Sequence, residues 1–329
     1  MARVAVLGSN SFSASWFVDA ALTAGHEVLG INRSPELSPI FLPYRNNPRA
    51  EAYTFRRFDL NSDFQAVVSS LQEFKPAFVL DFAGQGMVAE SWVKPEQWYL
   101  TNIVSKVQLH DFLRTQSWLS KYIRVSTPEV YGNTPKPVHE NHHYLPSTPY
   151  AVSHAAIDMS LMAFFRNYRF SVVLTRFANF FGPGQQLYRV IPRTIIYVLA
   201  GRRLPLHGGG TSVRAFIHVS DVANALLQVM DRGAAGETYH FSPQEFHTIR
   251  EVVQTVCREM NVEFDRVVEI SADREGKDQA YLMDSSKARA ELDWGPKDTF
   301  VGGIRETIRW VRENFREIRN LPWDYVHKT

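Results

Sequence analysis

The segment from Arg3 to Ile31 limits the possible folds of this 329-residue chain more than any other. Arg3 to Leu7 is a short Val-rich apolar run that ends at Gly8. A helical pattern through Trp16, Phe17, Ala20, Ala21 and Leu22 stops at Gly25, and a second apolar run covers Glu27 to Ile31. Strand, glycine turn, helix and strand in so short a stretch make a βαβ unit, whose crossover demands a parallel sheet. The alternation goes on with a helix over Phe64 to Phe74, a strand over Phe78 to Phe82, a helix through Asn102 to Leu113 and a strand over Tyr122 to Val125. A helix from Pro149 to Tyr168 and a strand over Ser171 to Arg176 follow. The pattern predicts an α/β protein with a doubly wound parallel sheet and a ligand site at the carboxyl ends of the strands. After Phe181 the texture changes. FGPGQQLYRVIP and LPLHGGGTSVRAF are rich in Gly and Pro, as loops shaped around a ligand are. The expected division is a Rossmann-like domain over 1–180 and a smaller, partly interleaved C-terminal α/β lobe over 181–329.

Composition excludes several classes. A net charge of +2 with no block of like charges argues against nucleic acid, and no run approaches the ~18 apolar residues of a membrane span. Apolar content of 45% and charged content of 21% are ordinary for a soluble globular protein. The opening MARVAVLGSN is too short an apolar run for a signal peptide, and the single cysteine, Cys257, fits a reducing compartment. The expectation is a cytoplasmic protein. None of the eleven histidines shows metal-ligand spacing, so no metal is expected.

The turn LGSNSFSASW after the first strand has Gly8 at the first position of a dinucleotide-binding turn, with Ser11 and Ala14 at the second and third. Small residues still leave the helix N-terminus open to a phosphate, and Ser11 and Ser13 add hydroxyls. The second strand ends in Asn32 and Arg33, which removes the carboxylate for a ribose 2'-hydroxyl and adds a guanidinium suited to a 2'-phosphate. NADP is therefore favoured over NAD. Asp59, after the third strand, either meets the adenine amino group or caps a helix. The cofactor-lining set expected is Gly8, Ser11, Phe12, Ser13, Asn32, Arg33, Asp59, Leu60, Phe82 and Ala83.

The segments VSTPEVYG, TPYAVSH, RFANFFGPGQ, VIPRTI, LPLHGGGTSVRAFIHVSDVANAL, DREGKD and LDWGPKDTF, in this order, span nearly the whole chain. In them the chain resembles the extended short-chain dehydrogenase/reductase superfamily, and within it the nucleotide-sugar 4,6-dehydratases of the dTDP-glucose type. The resemblance implies NAD(P) as an internal hydride shuttle. It implies that Thr127 and Tyr150 share the sugar C4 hydroxyl, with Tyr150 as its base, and that Glu129 removes the C5 proton. Two positions depart from that pattern. Pro128 stands where the dehydratases carry an acid that protonates the departing C6 hydroxyl, so water or protonated Glu129 has to substitute. His154 stands four residues after Tyr150, on the same helix face, where the family has a lysine. Lys, with a pKa of ~10.4, is charged at neutral pH, while His at ~6.5 mostly is not and favours the Tyr150 phenolate less. If His154 did act as a cation, activity would rise toward mildly acidic pH.

The resemblance also implies a substrate set of Thr127, Asn179, Arg189, Val190, Pro205, Leu206, His207, Arg214, Arg274 and Lys277, around a dTDP- or UDP-hexose. His218 reads as packing or capping, Asp221 as a cap for the following helix, and Trp92 as a pocket wall or a core residue. Helices near Asn102 to Leu113 and Tyr150 to Tyr168 carry apolar residues on more than one face, which suggests a homodimer. A 4,6-dehydratase is the first expectation. A nucleotide-sugar 4-epimerase, and a nucleotide-sugar-binding protein with impaired or no turnover, are the alternatives.

Overall fold

The computed structural model describes residues 1–272 and 279–327. Arg274 and Lys277 lie outside the described residues. Strand β1 (Arg3–Leu7), helix α1 (Phe12–Thr23) and strand β2 (Glu27–Asn32) form the first crossover. β3 (Tyr53–Arg57), α2 (Phe64–Phe74) and β4 (Phe78–Asp81) follow. Two short helices, α3 (Val88–Ser91) and α4 (Pro95–Tyr99), lead through a π turn at Leu100–Val104 into α5 (Ser105–Leu113). Next come β5 (Lys121–Val125), β6 (Thr134–Val138), the long α6 (Pro149–Tyr168) and β7 (Val172–Phe177). The rest of the chain adds β8 (Asn179–Phe181), α7 (Val190–Leu199), β9 (Leu204–His207), β10 (Val213–His218), α8 (Val219–Arg232) and β11 (Thr238–Phe241). It continues with β12 (Phe246–Thr248), α9 (Ile249–Glu259), α10 (Phe264–Val267) and β13 (Val268–Ser271). β14 (Tyr281–Met283), α11 (Ser286–Leu292) and α12 (Phe300–Ile318) complete it.

Seven strands pair in the order β11-β7-β5-β4-β1-β2-β3, each pair parallel, so the α/β doubly wound sheet expected from the sequence is the one that forms. Alternate residues of β1 feed two cores. Val4 and Val6 pack against α1 and α8, while Ala5 and Leu7 face Val67 and Leu71 of α2 and Leu161 of α6. A parallel sheet covered on both faces explains why its strands read as near-continuous apolar runs. Strand β11 and helix α8, from the chain beyond 181, belong to this body. A separate apolar cluster joins Ile191 and Ile195 of α7, Val252 and Val256 of α9, and Ile304 and Ile308 of α12. Among the described residues no helix is long and apolar enough to cross a membrane.

The helix expected through Asn102 to Leu113 departs from the α pattern in its first turn. The π turn carries Asn102, whose side chain accepts from the Gln85 amide at 2.7 Å and donates to Ser153 Oγ of α6 at 3.0 Å. Such a widened turn re-aims one side chain without ending the helix.

One tight point at the sheet's upper edge is Gly8. Its φ is +77°, and a Cβ there would lie 2.7 Å from the Ala83 amide nitrogen, just past β4. Gly8→Ala is expected to destabilise the protein by about 1–3 kcal/mol in urea unfolding. Gly201→Ala, which shares the positive φ but meets nothing within 4 Å, serves as the comparison and should cost less. Equal losses at both positions would show that the contact with Ala83 carries no weight.

Candidate active site

One cleft at the carboxyl ends of β1, β2 and β4 is lined by Gly8, Ser11, Asn32, Arg33, Asp59, Leu60, Phe82 and Ala83, together with Thr101. Phe12 and Ser13 are buried in the first turn of α1, below its free N–H groups. Ser11 precedes that turn in extended conformation, and its Oγ is buried with no hydrogen-bond partner. A hydroxyl left unsatisfied at a helix N-terminus, beside a glycine cradle that a Cβ would fill, suits the phosphates of a dinucleotide. At the end of β2, Asn32 Nδ2 donates to the Ser34 carbonyl at 3.1 Å, and Arg33 Nη2 lies 3.5 Å from Gln85 Oε1. Of the two expectations for Asp59, the capping position of α2 belongs to Asp63. Asp59 Oδ1 instead accepts from the Asn61 amide at 2.8 Å.

Beyond β5 the chain makes one 3-10 turn, Pro128–Tyr131, capped by Thr127, whose Oγ1 accepts from the Glu129 amide at 3.3 Å. Pro128 fills the first position of that turn, where a residue without an N–H loses nothing and a fixed φ is an advantage. Helix α6 is started by Thr148, whose Oγ1 accepts from the Ala151 amide at 3.1 Å, with Pro149 in the first turn. The next residue, Tyr150, is held by its own amide to Ser91 Oγ of α3 at 3.2 Å. The Thr127 side chain acts on its hydroxyl, and Glu129 is the strongest charge acting on it, followed by Arg189. Burial and the Glu129 carboxylate push the phenol well above its ordinary range, only partly opposed by Thr127 and Arg189. Thr127, Glu129 and Tyr150 are therefore close enough to act on one another.

His154 is buried one turn below Tyr150, their ring centroids 4.6 Å apart. Its Nδ1 accepts from Arg124 Nη2 at 3.2 Å. Burial first, then the Arg124 guanidinium, hold the imidazole well below its usual pKa, so it is neutral rather than cationic. The conditional case of a cationic His154 that aids Tyr150 at mildly acidic pH finds no support: among the described residues the ring bonds a permanent cation rather than a carboxylate.

Beneath it lies a fully buried cluster. Asp81 pairs with Lys106 and, at 3.1 Å, with Arg124 Nη1, and accepts from Tyr122 at 2.6 Å. Burial alone would raise the Asp81 carboxyl, but Lys106 and Arg124 overcome it and hold it at about 2. Lys106 is drawn down to about 8 by burial.

On the substrate side, Asn179 begins β8 and its Oδ1 accepts from the Tyr281 hydroxyl at 3.0 Å. Arg214 lies over the Tyr281 ring at 4.1 Å and donates to the Gln279 carbonyl at 2.9 Å. Burial raises the Tyr281 phenol, Arg214 opposes that, and Glu129 adds to it, so this tyrosine stands between Asn179 and Arg214 on one side and Glu129 on the other. Arg189 and Val190 begin α7, with Arg189 over the Tyr188 ring. Along β9, Leu206 packs with Val253 and Cys257, whereas Pro205 is exposed and His207 Nδ1 bonds Ser271 Oγ at 3.0 Å. His218 bonds Ser220 Oγ at 2.8 Å and Asp298 at 3.1 Å. Asp221 accepts from the Lys297 and Asp298 amides, pinning the DWGPKD turn rather than capping its own helix. Trp92 is 58% exposed and is no core residue.

Sequence reasoning missed Asp81, Asn102, Lys106, Arg124 and Tyr281. For Arg124 and Asp81 there was a signal, a charge inside or at the end of a strand that is otherwise apolar on both faces.

Three buried histidines set an acid limit on stability. Burial drives His110 and His240 down to about 3, and His154 lies well below its ordinary value. In the unfolded chain each titrates near 6.5, so below that pH the unfolded state binds protons that the fold excludes. Their stabilisation is whole above pH ~6.5 and is lost as pH falls toward the folded values, by up to about 1.4 kcal/mol per pH unit for each histidine. Urea unfolding between pH 7 and 5 should show this slope, and His154→Gln should remove about a third of it. A slope unchanged by that substitution would mean the folded His154 is protonated.

The family profile described as GDP-mannose 4,6 dehydratase matches residues 6–307. A dTDP-glucose 4,6-dehydratase of Xanthomonas campestris pv. campestris is 32% identical over 339 residues, covering 95% of this chain and 94% of that protein. DesIV, a dTDP-glucose 4,6-dehydratase from Streptomyces venezuelae solved with NAD, superposes with a TM-score of 0.88 at 28% identity, over 96% of this chain and 98% of that one. A Thermus thermophilus UDP-glucose 4-epimerase, also solved with NAD, gives 0.84 at 27%, over 94% and 99%. With a match that runs from the first strand into the last helix, the chain belongs to the GDP-mannose 4,6 dehydratase family.

Proposed function

We propose that this chain is a nucleotide-sugar 4,6-dehydratase that forms a 4-keto-6-deoxy sugar nucleotide from a dTDP- or UDP-hexose. The observation that carries the reading is the convergence of Thr127 and Glu129 on the buried Tyr150 phenol, in a chain that also forms a cleft of dinucleotide type at its strand ends. Bound NAD(P) supplies the site that accepts a hydride from sugar C4 and returns it at C6. Gly8, Ser11, Phe12, Ser13, Asn32, Arg33, Asp59, Leu60, Phe82 and Ala83 hold that cofactor, with Tyr150 and His154 at its nicotinamide end. The two solved structures named above, DesIV and the Thermus thermophilus epimerase, contain NAD. The guanidinium of Arg33, which lines the cleft at the end of β2, supports acceptance of NADP as well.

Thr127 orients the C4 hydroxyl, and Tyr150 takes its proton as the C4–H bond breaks. The 4-keto group then acidifies C5–H, and Glu129 removes that proton. Pro128 has no proton to give, so the same Glu129, now protonated, hands its proton to the C6 hydroxyl, which departs as water. After C6 is reduced, Glu129 returns a solvent-derived proton to C5, and the proton on Tyr150 exchanges to water. The sum is loss of one water. Asn179, Arg189, Val190, Pro205, Leu206, His207, Arg214, Arg274 and Lys277 form the proposed nucleotide-diphosphate site, with Arg214 and Arg189 against the diphosphate charge.

Leu100, Val104, Val152 and Met159 are 48%, 49%, 38% and 60% exposed on the α5–α6 side, and we assign them to a homodimer interface of a cytoplasmic enzyme. Sedimentation of Met159→Glu as a monomer against a dimeric parent would test it.

Incubation with dTDP-glucose and UDP-glucose should give a 4-keto product lighter by one water. A product of unchanged mass would make the protein a 4-epimerase, and binding without turnover a nucleotide-sugar-binding protein. Glu129→Gln should lower turnover by about 10²–10⁴-fold while absorbance at 340 nm accumulates, since oxidation at C4 proceeds and elimination does not. Tyr150→Phe should fall as far with no such absorbance.

A further inference from the structure

Arg124 lies near the end of the sheet's fifth strand, and its guanidinium serves two partners at once. Nη1 donates to Asp81 Oδ2 at 3.1 Å, and Nη2 donates to His154 Nδ1 at 3.2 Å. A guanidinium has only donors and keeps its charge, so the ring nitrogen that faces it has to be the acceptor. The proton of a neutral His154 then sits on Nε2.

The charges that act on His154 come from each element packed around it. They are Arg124 on β5, Asp81 on β4, Lys106 on α5 and Arg176 on β7. On its own helix, Tyr150 lies one turn before it, and Asp158, one turn after, is engaged by Arg176 at 2.9 Å and Ser126 at 2.6 Å. Asp81 is shared by Lys106 and Arg124. Two cations against one carboxylate leave one positive charge uncompensated under the helix, which adds to that of Arg189, the leading cation acting on the Tyr150 phenol. A cation at position 154 would therefore add to an excess that already exists.

We propose that Arg124 is a positioning residue: it fixes His154 in the tautomer that donates from Nε2, and it supplies from the strand the positive charge that favours the Tyr150 phenolate. His154 and Arg124 are then two halves of one exchange, with the charge moved from helix to strand and a neutral donor left on the helix. The inference rests on Tyr150 being the base proposed above.

Long-range ¹H–¹⁵N spectra of the full-length protein, with His154 assigned by loss of its signals in His154→Gln, should show a proton on Nε2 and an unprotonated Nδ1 from pH 8 to pH 5.5. Arg124→Lys keeps the charge beside Asp81 but lacks the fork that reaches both partners. In it, His154 should populate both tautomers while staying neutral, since burial and the nearby charge both remain, and kcat should fall by about tenfold with KM little changed. His154→Lys alone should lose about tenfold or more in kcat, whereas Arg124→Met with His154→Lys should recover about tenfold over Arg124→Met. A wild-type proton on Nδ1, a tautomer indifferent to Arg124→Lys, or independent effects of the two exchanged residues would each overturn the proposal. If Arg124→Met does not fold, the spectra of the wild type and of Arg124→Lys decide alone. These spectra need no turnover, so an inactive wild type would refute the dehydratase reading while leaving the tautomer result intact.

Discussion

The buried ion cluster of Asp81, Lys106 and Arg124 is the constraint around which the rest of the molecule is arranged. Removing such charges from water costs several kcal/mol for each ion, roughly, unless partners restore what water gave. Here the partners come from four elements: Asp81 from β4, Arg124 from β5, Lys106 from α5 and His154 from α6. Tyr122 and His110 extend the chain of hydrogen bonds away from the site, and none of these groups sees solvent. The arrangement fixes strand ends and helices relative to one another more tightly than apolar packing alone, because each pairing has a direction. The floor of the cofactor cleft at Ala83 and the helix that carries Tyr150 are both attached to it.

A second buried pair repeats the device on the neighbouring strand. Arg176 of β7 meets Asp158 of α6 and also the Tyr131 and Tyr144 hydroxyls, while Ser126 donates to Asp158 just before the catalytic turn. Tyr150, His154 and Asp158 share one face of α6, so that face carries in turn the proposed base, the proposed neutral donor and a buried anchor paired with Arg176. The turn itself is held by its own geometry, with Thr127 as cap and Pro128 as first residue. Pro128 costs the chemistry a proton donor and gives the turn a fixed backbone. Glu129 is left as the one carboxylate of the turn, and in the proposed mechanism both proton transfers of the elimination pass through it.

The fold was legible because it rests on patterns that are local. Gly8 between an apolar run and a helix, and the repeated return of such runs, announced a parallel sheet without knowledge of any contact. Thr127, Glu129 and Tyr150 were legible too, through segments whose order along the chain is specific. The role of His154 was only half legible. Its distance from Tyr150 followed from helical spacing, but its charge depends on Arg124, which lies 30 residues away in sequence. Tyr281 gave no sign at all, since a tyrosine in a short apolar strand is an ordinary core residue until Asn179 and Arg214 are seen to enclose it.

The sequence by itself determined the α/β alternation, the glycine turn, the family resemblance and the two positions where this chain departs from its pattern. These are properties of residue type and spacing, and spacing along a helix or strand fixes which side chains share a face. The tertiary structure alone decided what the departures mean. Whether an imidazole is charged depends on the solvent it has lost and on the ions within a few ångströms, and those ions arrive from other strands. Only when β4, β5, α5 and α6 are brought together does His154 become a neutral donor beside a permanent cation.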